Sequence, residues 1–266
     1  MTAVAPRPIP ATTVGFGNVV LAEWTKLRSL RSSYLCLALT ALCMLGLAVT
    51  MGTRWAYQTE PVPDGFDATN VALGGTYLAE VVVATVAVMS LGSEYATGMI
   101  RLTFTAVPQR RIVLLAKAIV LTVSTVLVGE LLSLASFLTT QAFFARKHAG
   151  VGLADPGAAR SVVGAGLFLG AIALLAFGLA GIIRHTAGAL SAFFGVLFAL
   201  NPLVDLLPTW LRNDVINYLP LNAGNQVFVT QPGGGALGPW TGLGVLAGYA
   251  AVSFTLALLL VNHRDA

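Results

Sequence analysis

Glu80 and Glu130 are the residues of this chain best placed to do chemistry, because each carboxyl stands inside a long apolar run. Glu80 lies 13 residues before Ser93, and Glu130 lies 13 residues after Lys117. On helices rising about 1.5 Å per residue, both would sit roughly 20 Å from the surface that Ser93–Lys117 occupies. Charging a carboxyl at that depth costs at least about 3 kcal/mol. Two carboxyls at matched depth on consecutive antiparallel helices could share a proton or face a cation, which makes them candidates for a translocation path. The plainer alternative is that each stays protonated, hydrogen-bonds to a neighbouring helix and holds the bundle together. Asp205, near the end of an apolar run, is expected at headgroup depth without a special role.

Other chemistries find no footing in the sequence. It has no P-loop, no H-E-x-x-H and no G-x-S-x-G pattern. His148, His185 and His263 are far apart and near the ends of apolar runs, so no metal site is expected. The chain is therefore not expected to be an enzyme or to bind a cofactor itself. Nor does it carry a basic patch interleaved with aromatics, so nucleic acid is not an expected partner.

The elements that must position these residues are set by hydrophobicity. Of 266 residues, 56% are hydrophobic and 10% charged, where a soluble domain carries about 25% charged residues. Mean hydropathy is +0.82. Lipid is then the expected solvent, and apolar runs of this length read as membrane-crossing helices. The runs are continuous rather than alternating, which excludes spanning strands. The expected fold is an all-α integral membrane protein with six spans, at Ser33–Gly52, Val71–Gly92, Ile112–Phe144, Ser161–Ile183, Thr186–Leu207 and Trp240–Val261. The third run exceeds what a bilayer needs and must tilt or project.

Residues 1–13 are Pro-rich and read as a disordered tail; residues 14–266 read as one transmembrane domain. Pro6, Pro8 and Pro10 precede an amphipathic segment without an early cleavage site, so the first apolar run is expected to be retained. Within Val14–Ser33, Phe16, Val20, Trp24 and Leu27 share an arc with Val19 and Leu30. Thr25, Lys26, Arg28 and Ser29 face away, and Glu23 and Arg31 interrupt the apolar face. This predicts a helix over residues 14–32 lying in the membrane interface, with Trp24 at headgroup depth.

With both termini inside, the inner segments hold Arg7, Lys26, Arg28, Arg31, Arg101, Arg110, Arg111, Lys117, Arg184 and Arg264. The outer segments hold Arg54, Arg146, Lys147, Arg160 and Arg212, and this excess favours N-in and C-in. Cys36 and Cys43 would have Cα atoms roughly 10 Å apart on one helix, too far for a disulfide. Residues 53–70 form a turn-rich outer loop carrying Pro61 and Pro63-Asp64-Gly65. Residues 208–239 form a second outer loop, re-entrant or interfacial, with a short helix through Trp210, Leu211, Val215 and Ile216 ending near Pro220. Gly166-xxx-Gly170 and Gly244-xxx-Gly248 are expected helix contacts.

Between the second and third spans lies the most patterned polar stretch, Ser93–Lys117, with Glu94, Arg101, Arg110, Arg111 and Lys117. Gly98 permits a tight bend, and Pro108 suits the start of a turn or helix. Met99, Ile100, Leu102 and Phe104 would be exposed unless covered. Apolar side chains rimmed by charge read as a docking knob for a cytoplasmic partner, or as a loop folded back on its own interface helix.

The chain resembles the ABC-2-type permeases, the membrane subunits of ATP-binding-cassette exporters. The resemblance rests on Glu23-Trp24-Thr25-Lys26-Leu27-Arg28-Ser29 and on Glu94-Tyr95-Ala96-Thr97-Gly98-Met99-Ile100-Arg101. Pro108-Gln109-Arg110-Arg111, Lys117, the six-span layout and Tyr218-Leu219-Pro220 extend it over essentially the whole chain. It implies that Glu23, Trp24, Lys26 and Arg28 belong to an interfacial elbow helix. It also implies a coupling loop over residues 93–111, where Glu94, Tyr95, Gly98, Met99, Ile100 and Arg101 engage a separate cytoplasmic ABC ATPase. Arg110 and Arg111 would fix that loop at the membrane surface. ATP and Mg would be bound by the ATPase, not by this chain. A second permease subunit, identical or related, would complete an efflux path through the cell membrane for an amphipathic or hydrophobic substrate. A proton-coupled secondary transporter using Glu80 and Glu130, or a non-transporting membrane partner, remain the alternatives. If the two acids line the path, replacing both with Gln should reduce efflux of cationic compounds while leaving assembly intact; unchanged efflux of every cation tested would remove them from it.

Overall fold

The computed structural model describes residues 15–58, 66–147, 150–230 and 237–263. Among these residues there is no strand, and six helices are long and apolar enough to cross a membrane. The chain runs α1 (Phe16–Ser29), α2 (Arg31–Tyr57), α3 (Ala68–Leu73), α4 (Thr76–Ala96), α5 (Met99–Ala106) and α6 (Arg110–Phe144). It continues through α7 (Ala158–Ile183), α8 (Thr186–Phe194), α9 (Leu200–Val204), α10 (Thr209–Ile216), α11 (Pro220–Asn225) and α12 (Pro239–His263). The expected tail at residues 1–13 and the turn residues Pro61 and Pro63-Asp64-Gly65 lie outside the described residues.

The six spans follow the apolar runs, with differences at their ends that have physical causes. The fifth is shorter than its apolar run and stops at Val204, and a π-helical turn over Gly195–Ala199 separates α8 from α9. Pro202 lacks an N–H and its ring crowds the carbonyl of Phe198, which a wider turn relieves. The third span begins earlier than expected, at Arg110. With 35 residues it is about 50 Å long, well beyond a hydrocarbon core of about 30 Å.

α7 is the axis of the bundle. Buried residues make up 67% of its apolar window, against 22% for α2 and for the fifth span, so those two lie at the periphery. α4, α6 and α12 all pack on α7. Its small residues permit this, because helices in lipid associate through close van der Waals contact and interhelical hydrogen bonds. Gly178 decides the approach of α12: a Cβ there would lie 2.7 Å from the backbone nitrogen of Phe254. Ser253 Oγ reaches Leu175 O at 3.4 Å in the same contact, and Ser133 Oγ of α6 donates to Val162 O of α7 at 2.9 Å. Gly166 and Gly170 pack against Glu130 and Val126 of α6. Gly244 and Gly248, by contrast, face open space, so that pair is not a contact within this chain.

At the end where α7 begins, residues 220–228 turn into the bundle. Ala223 and Val227 are fully buried and Phe228 is 1% exposed. Phe228 meets Phe168 edge-on at 5.3 Å and Tyr77 at 5.4 Å. Buried irregular backbone needs partners for its carbonyls. Arg160 supplies them, donating to Gln226 O, Val227 O and Val229 O at 3.4, 3.3 and 3.1 Å. Gly178→Ala should therefore destabilise the bundle by about 1–3 kcal/mol. Gly248→Ala, in open space, should instead be neutral or stabilise by up to about 1 kcal/mol; unfolding of the two variants in detergent separates the cases.

Candidate functional site

At the opposite end of the bundle, three elements distant in sequence bring four charges into one cluster. Glu23 comes from α1, Glu94 from the last turns of α4 and Lys117 from two turns inside α6; Lys26 joins from α1. Lys117 Nζ donates to Glu23 Oε2 at 2.7 Å and to Glu94 Oε1 at 2.9 Å. Lys26 Nζ donates to Glu23 Oε1 at 2.9 Å and to Glu94 Oε1 at 3.3 Å. The result is a closed square in which every carboxylate touches both ammonium groups. Glu23, Glu94 and Lys117 are nearly enclosed, at 5%, 7% and 7% exposure, while Lys26 stays half-exposed.

This corrects the reading of the first helix. The face of α1 that packs on the bundle centres on Val19 and Glu23, with Val20, Lys26 and Leu27 beside them. Phe16, Trp24 and Leu30 point outward, and Arg28 lies 6.0 Å over the Trp24 ring. Glu23 is thus the centre of the buried face rather than an interruption of it. A buried carboxylate is tolerable only with a cation opposite, and Lys117 is that cation.

Charge settles into this square in a definite sense. Burial pushes the Glu23 carboxyl up, but the charge and hydrogen bond of Lys117, joined by those of Lys26, hold it below the usual carboxylate range. Burial pulls the Lys26 ammonium down, but its bond to Glu23, and then Glu94, hold it above its ordinary value.

The stretch read as a charged loop is almost entirely helical: only Thr97–Gly98 and Val107–Gln109 interrupt it. Gly98 has φ 72°, the left-handed conformation that glycine adopts without penalty, and it turns α4 sharply into α5. Of the four apolar side chains expected to be exposed, Ile100 and Phe104 are instead buried against the bundle. Met99 and Leu102 are exposed, together with Arg101 and Arg111. The amphipathic helix thus keeps one face for its own protein and turns the other outward. Arg110 sits 5.4 Å over Phe104 and reaches Val261 O at 3.5 Å.

Arg184, counted in the sequence only as an orienting charge, has a structural place here. It caps α7 in a left-handed conformation (φ 59°), lies 5.3 Å over the Tyr95 ring and donates to Leu260 O at 3.1 Å. Arg110 and Arg184 together engage carbonyls at the C-terminal end of α12, where cations are favoured. No local signal in the sequence pairs Arg184 with Tyr95, because 89 positions separate them.

Glu80 and Glu130 are not joined to this cluster or to each other. Glu80 is 1% exposed, and its Oε2 accepts no hydrogen bond among the described residues. Glu130 is half-buried, its side chain resting where α7 presents Gly166. Among the described residues neither forms an ion pair, and no group of three or more His, Cys, Asp or Glu is placed to hold a metal ion. Cys36 and Cys43 are both free thiols. No protein-family model matches the chain, and no curated protein matches it.

Removing one member of the enclosed part of the square leaves it out of charge balance, with each buried partner holding only one of its two counter-charges. Glu23→Gln and Lys117→Met should each weaken docking of α1 by about 3–5 kcal/mol, and the double variant by clearly less than the sum. Glu23 contributes above the usual carboxylate range and loses its contribution as pH falls through its lowered pKa; Lys26 contributes until pH rises through its raised pKa. Docking should therefore hold across neutral pH and fail in acid. A thiol placed at Val19, in a chain without Cys36 and Cys43, reports it by labelling rate; additive costs would remove the coupling.

Proposed function

We propose that this protein is the membrane subunit of an ATP-binding-cassette exporter of the ABC-2 type, with both termini in the cytoplasm. The single observation that carries the reading is the two-faced helix α5. It has Ile100 and Phe104 turned to the bundle, with Met99, Arg101 and Leu102 turned outward. Such a surface, apolar and rimmed by the exposed Arg101 and Arg111, is suited to a groove on a cytoplasmic ATPase.

The charge square adds the linkage that such a machine needs. A push on α5 reaches α4 through the Gly98 turn, and Glu94 lies one helical turn before that bend. From Glu94 the displacement passes by ion pairs to Lys117 of α6 and to Glu23 of α1. Tyr95 and Arg184 extend the same link to the ends of α7 and α12. Closure of two ATPases on ATP and Mg would in this way tilt the spans rather than merely bend a loop. A second subunit would supply the other half of the path, since α2 and the fifth span keep wide apolar faces uncovered within one chain. The excess of Lys and Arg at the end carrying α5 favours its placement in the cytoplasm of a cell whose plasma membrane holds the exporter.

Affinity purification of the tagged protein in mild detergent tests this directly. A stoichiometric P-loop ATPase should co-elute from wild type and be lost from Met99→Glu/Leu102→Glu, which alters only exposed side chains. A protein that elutes alone and moves its substrate down a proton gradient would overturn the exporter reading in favour of proton coupling.

A further inference from the structure

A cleft opens between α1, the start of α2, α4 and α6, and its two lobes differ in the charge they present. Their volumes are about 360 and 310 Å³, in the range of small-molecule sites, and they share Leu27, Ser33, Cys36, Val86 and Leu121. The charge square walls the first lobe. Two carboxylates face two ammonium groups there, so that wall is neutral as it stands. Lys26 spends two of its three N–H groups on Glu23 and Glu94, and the third shares the lobe with the hydroxyls of Ser29, Ser32 and Ser33. Donors and acceptors are mixed, and this lobe favours neither sign of charge.

The second lobe has a definite sign. Arg28 is the one charged side chain among the described residues that line it. It is exposed, lies 6.0 Å over the Trp24 ring and forms no ion pair among the described residues. Arg28 sits where α1 joins α2, with the exposed rings of Trp24 and Tyr34 lining the same lobe. From there the lobe follows α2 from Ser33 to Thr40 and α6 from Leu121 to Gly129, a depth of about 10–12 Å. Leu37, Val83, Val128 and Leu169 make its walls chiefly apolar. The hydroxyls of Thr40 and Ser124 donate to Cys36 O and Val120 O of their own helices, and Thr125 adds a third.

A cation at one end of an apolar slot selects a ligand by both features. Across the two lobes Lys26, Lys117 and Arg28 stand against Glu23 and Glu94, which leaves one positive charge over. A cationic head would add to that excess, and a neutral head would leave Arg28 unmatched. A monoanion balances it. A guanidinium meets a carboxylate through two parallel N–H···O bonds, and the apolar depth beyond it suits a single hydrocarbon chain.

We propose that the second lobe binds a fatty carboxylate, its head paired with Arg28 and its chain lying between α2 and α6 towards Gly129. The inference needs only the cleft, and it stands or falls separately from coupling to an ATPase. Dodecanoate, methyl dodecanoate, dodecylamine and acetate are titrated onto the full chain in a neutral maltoside detergent, and bound copies are counted by native mass spectrometry. Dodecanoate should bind near one per chain, and the other three at least about tenfold more weakly. Arg28→Gln, at an exposed position outside the square, should bring dodecanoate down to the level of the ester. Val128→Trp, which fills the apolar lobe and keeps Arg28, should weaken dodecanoate by a similar factor. Alkylation of Cys36 in a Cys43→Ser chain reads the same event from inside the cleft: dodecanoate should slow it, and should not once Arg28→Gln is added. Equal binding of the ester would mark a lipid-facing groove only, and equal binding of acetate an anion site only. Either result, or undiminished dodecanoate binding by Arg28→Gln, would overturn the proposal.

Discussion

Ionised side chains that leave water must find opposite charges, and the end of this bundle carrying α1 is built around that requirement. Lys117 stands inside α6, nearly enclosed, and its ammonium is held by Glu23 from α1 and Glu94 from α4. Each carboxylate answers to both lysines, so withdrawing any member leaves the square with an unbalanced charge. α1 has few other buried side chains, chiefly Val19, to hold it against the bundle. Its position therefore depends on the square more than on apolar contact. Lys26, half-exposed, contributes less than Lys117, because solvent screens its pairs.

The two ends of the molecule satisfy buried polarity by different means. One uses side-chain charges against each other. The other uses Arg160 against the carbonyls of an inward-turning segment, where backbone rather than a carboxylate needs a partner. Between them, α7 carries the packing: small residues on several faces let α4, α6 and α12 approach it closely, as lipid-solvated helices require. This axis is mostly apolar, while the functional candidates lie at its margins and in the cleft beside it.

Under the proposed reading, the square and α5 form one mechanical unit. Gly98 places the bend just after α4, one helical turn past Glu94, so motion at the exposed face has a short path to the ion pairs. The cleft lies against the same pairs.

Hydropathy and chain length were enough to place the six spans, because burial in lipid imposes a long apolar run on each helix whatever its neighbours are. The polar signature from Glu94 to Arg111 and the amphipathic segment before the first span were likewise legible as local patterns. Which face of α1 turns inward was not. Periodicity ranks faces by hydrophobicity, and it put Glu23 at fault where a lysine 94 positions away makes it the anchor. The same limit hid Arg184 over Tyr95, the inward turn at Val227 and Phe228, and the separation of Glu80 from Glu130. Equal depth along two helices says nothing about azimuth, which is decided by how α4 and α6 each pack on α7. Local composition thus determined what each segment is, and only tertiary packing decided which charges meet, because pairing energy depends on distances the linear order does not contain.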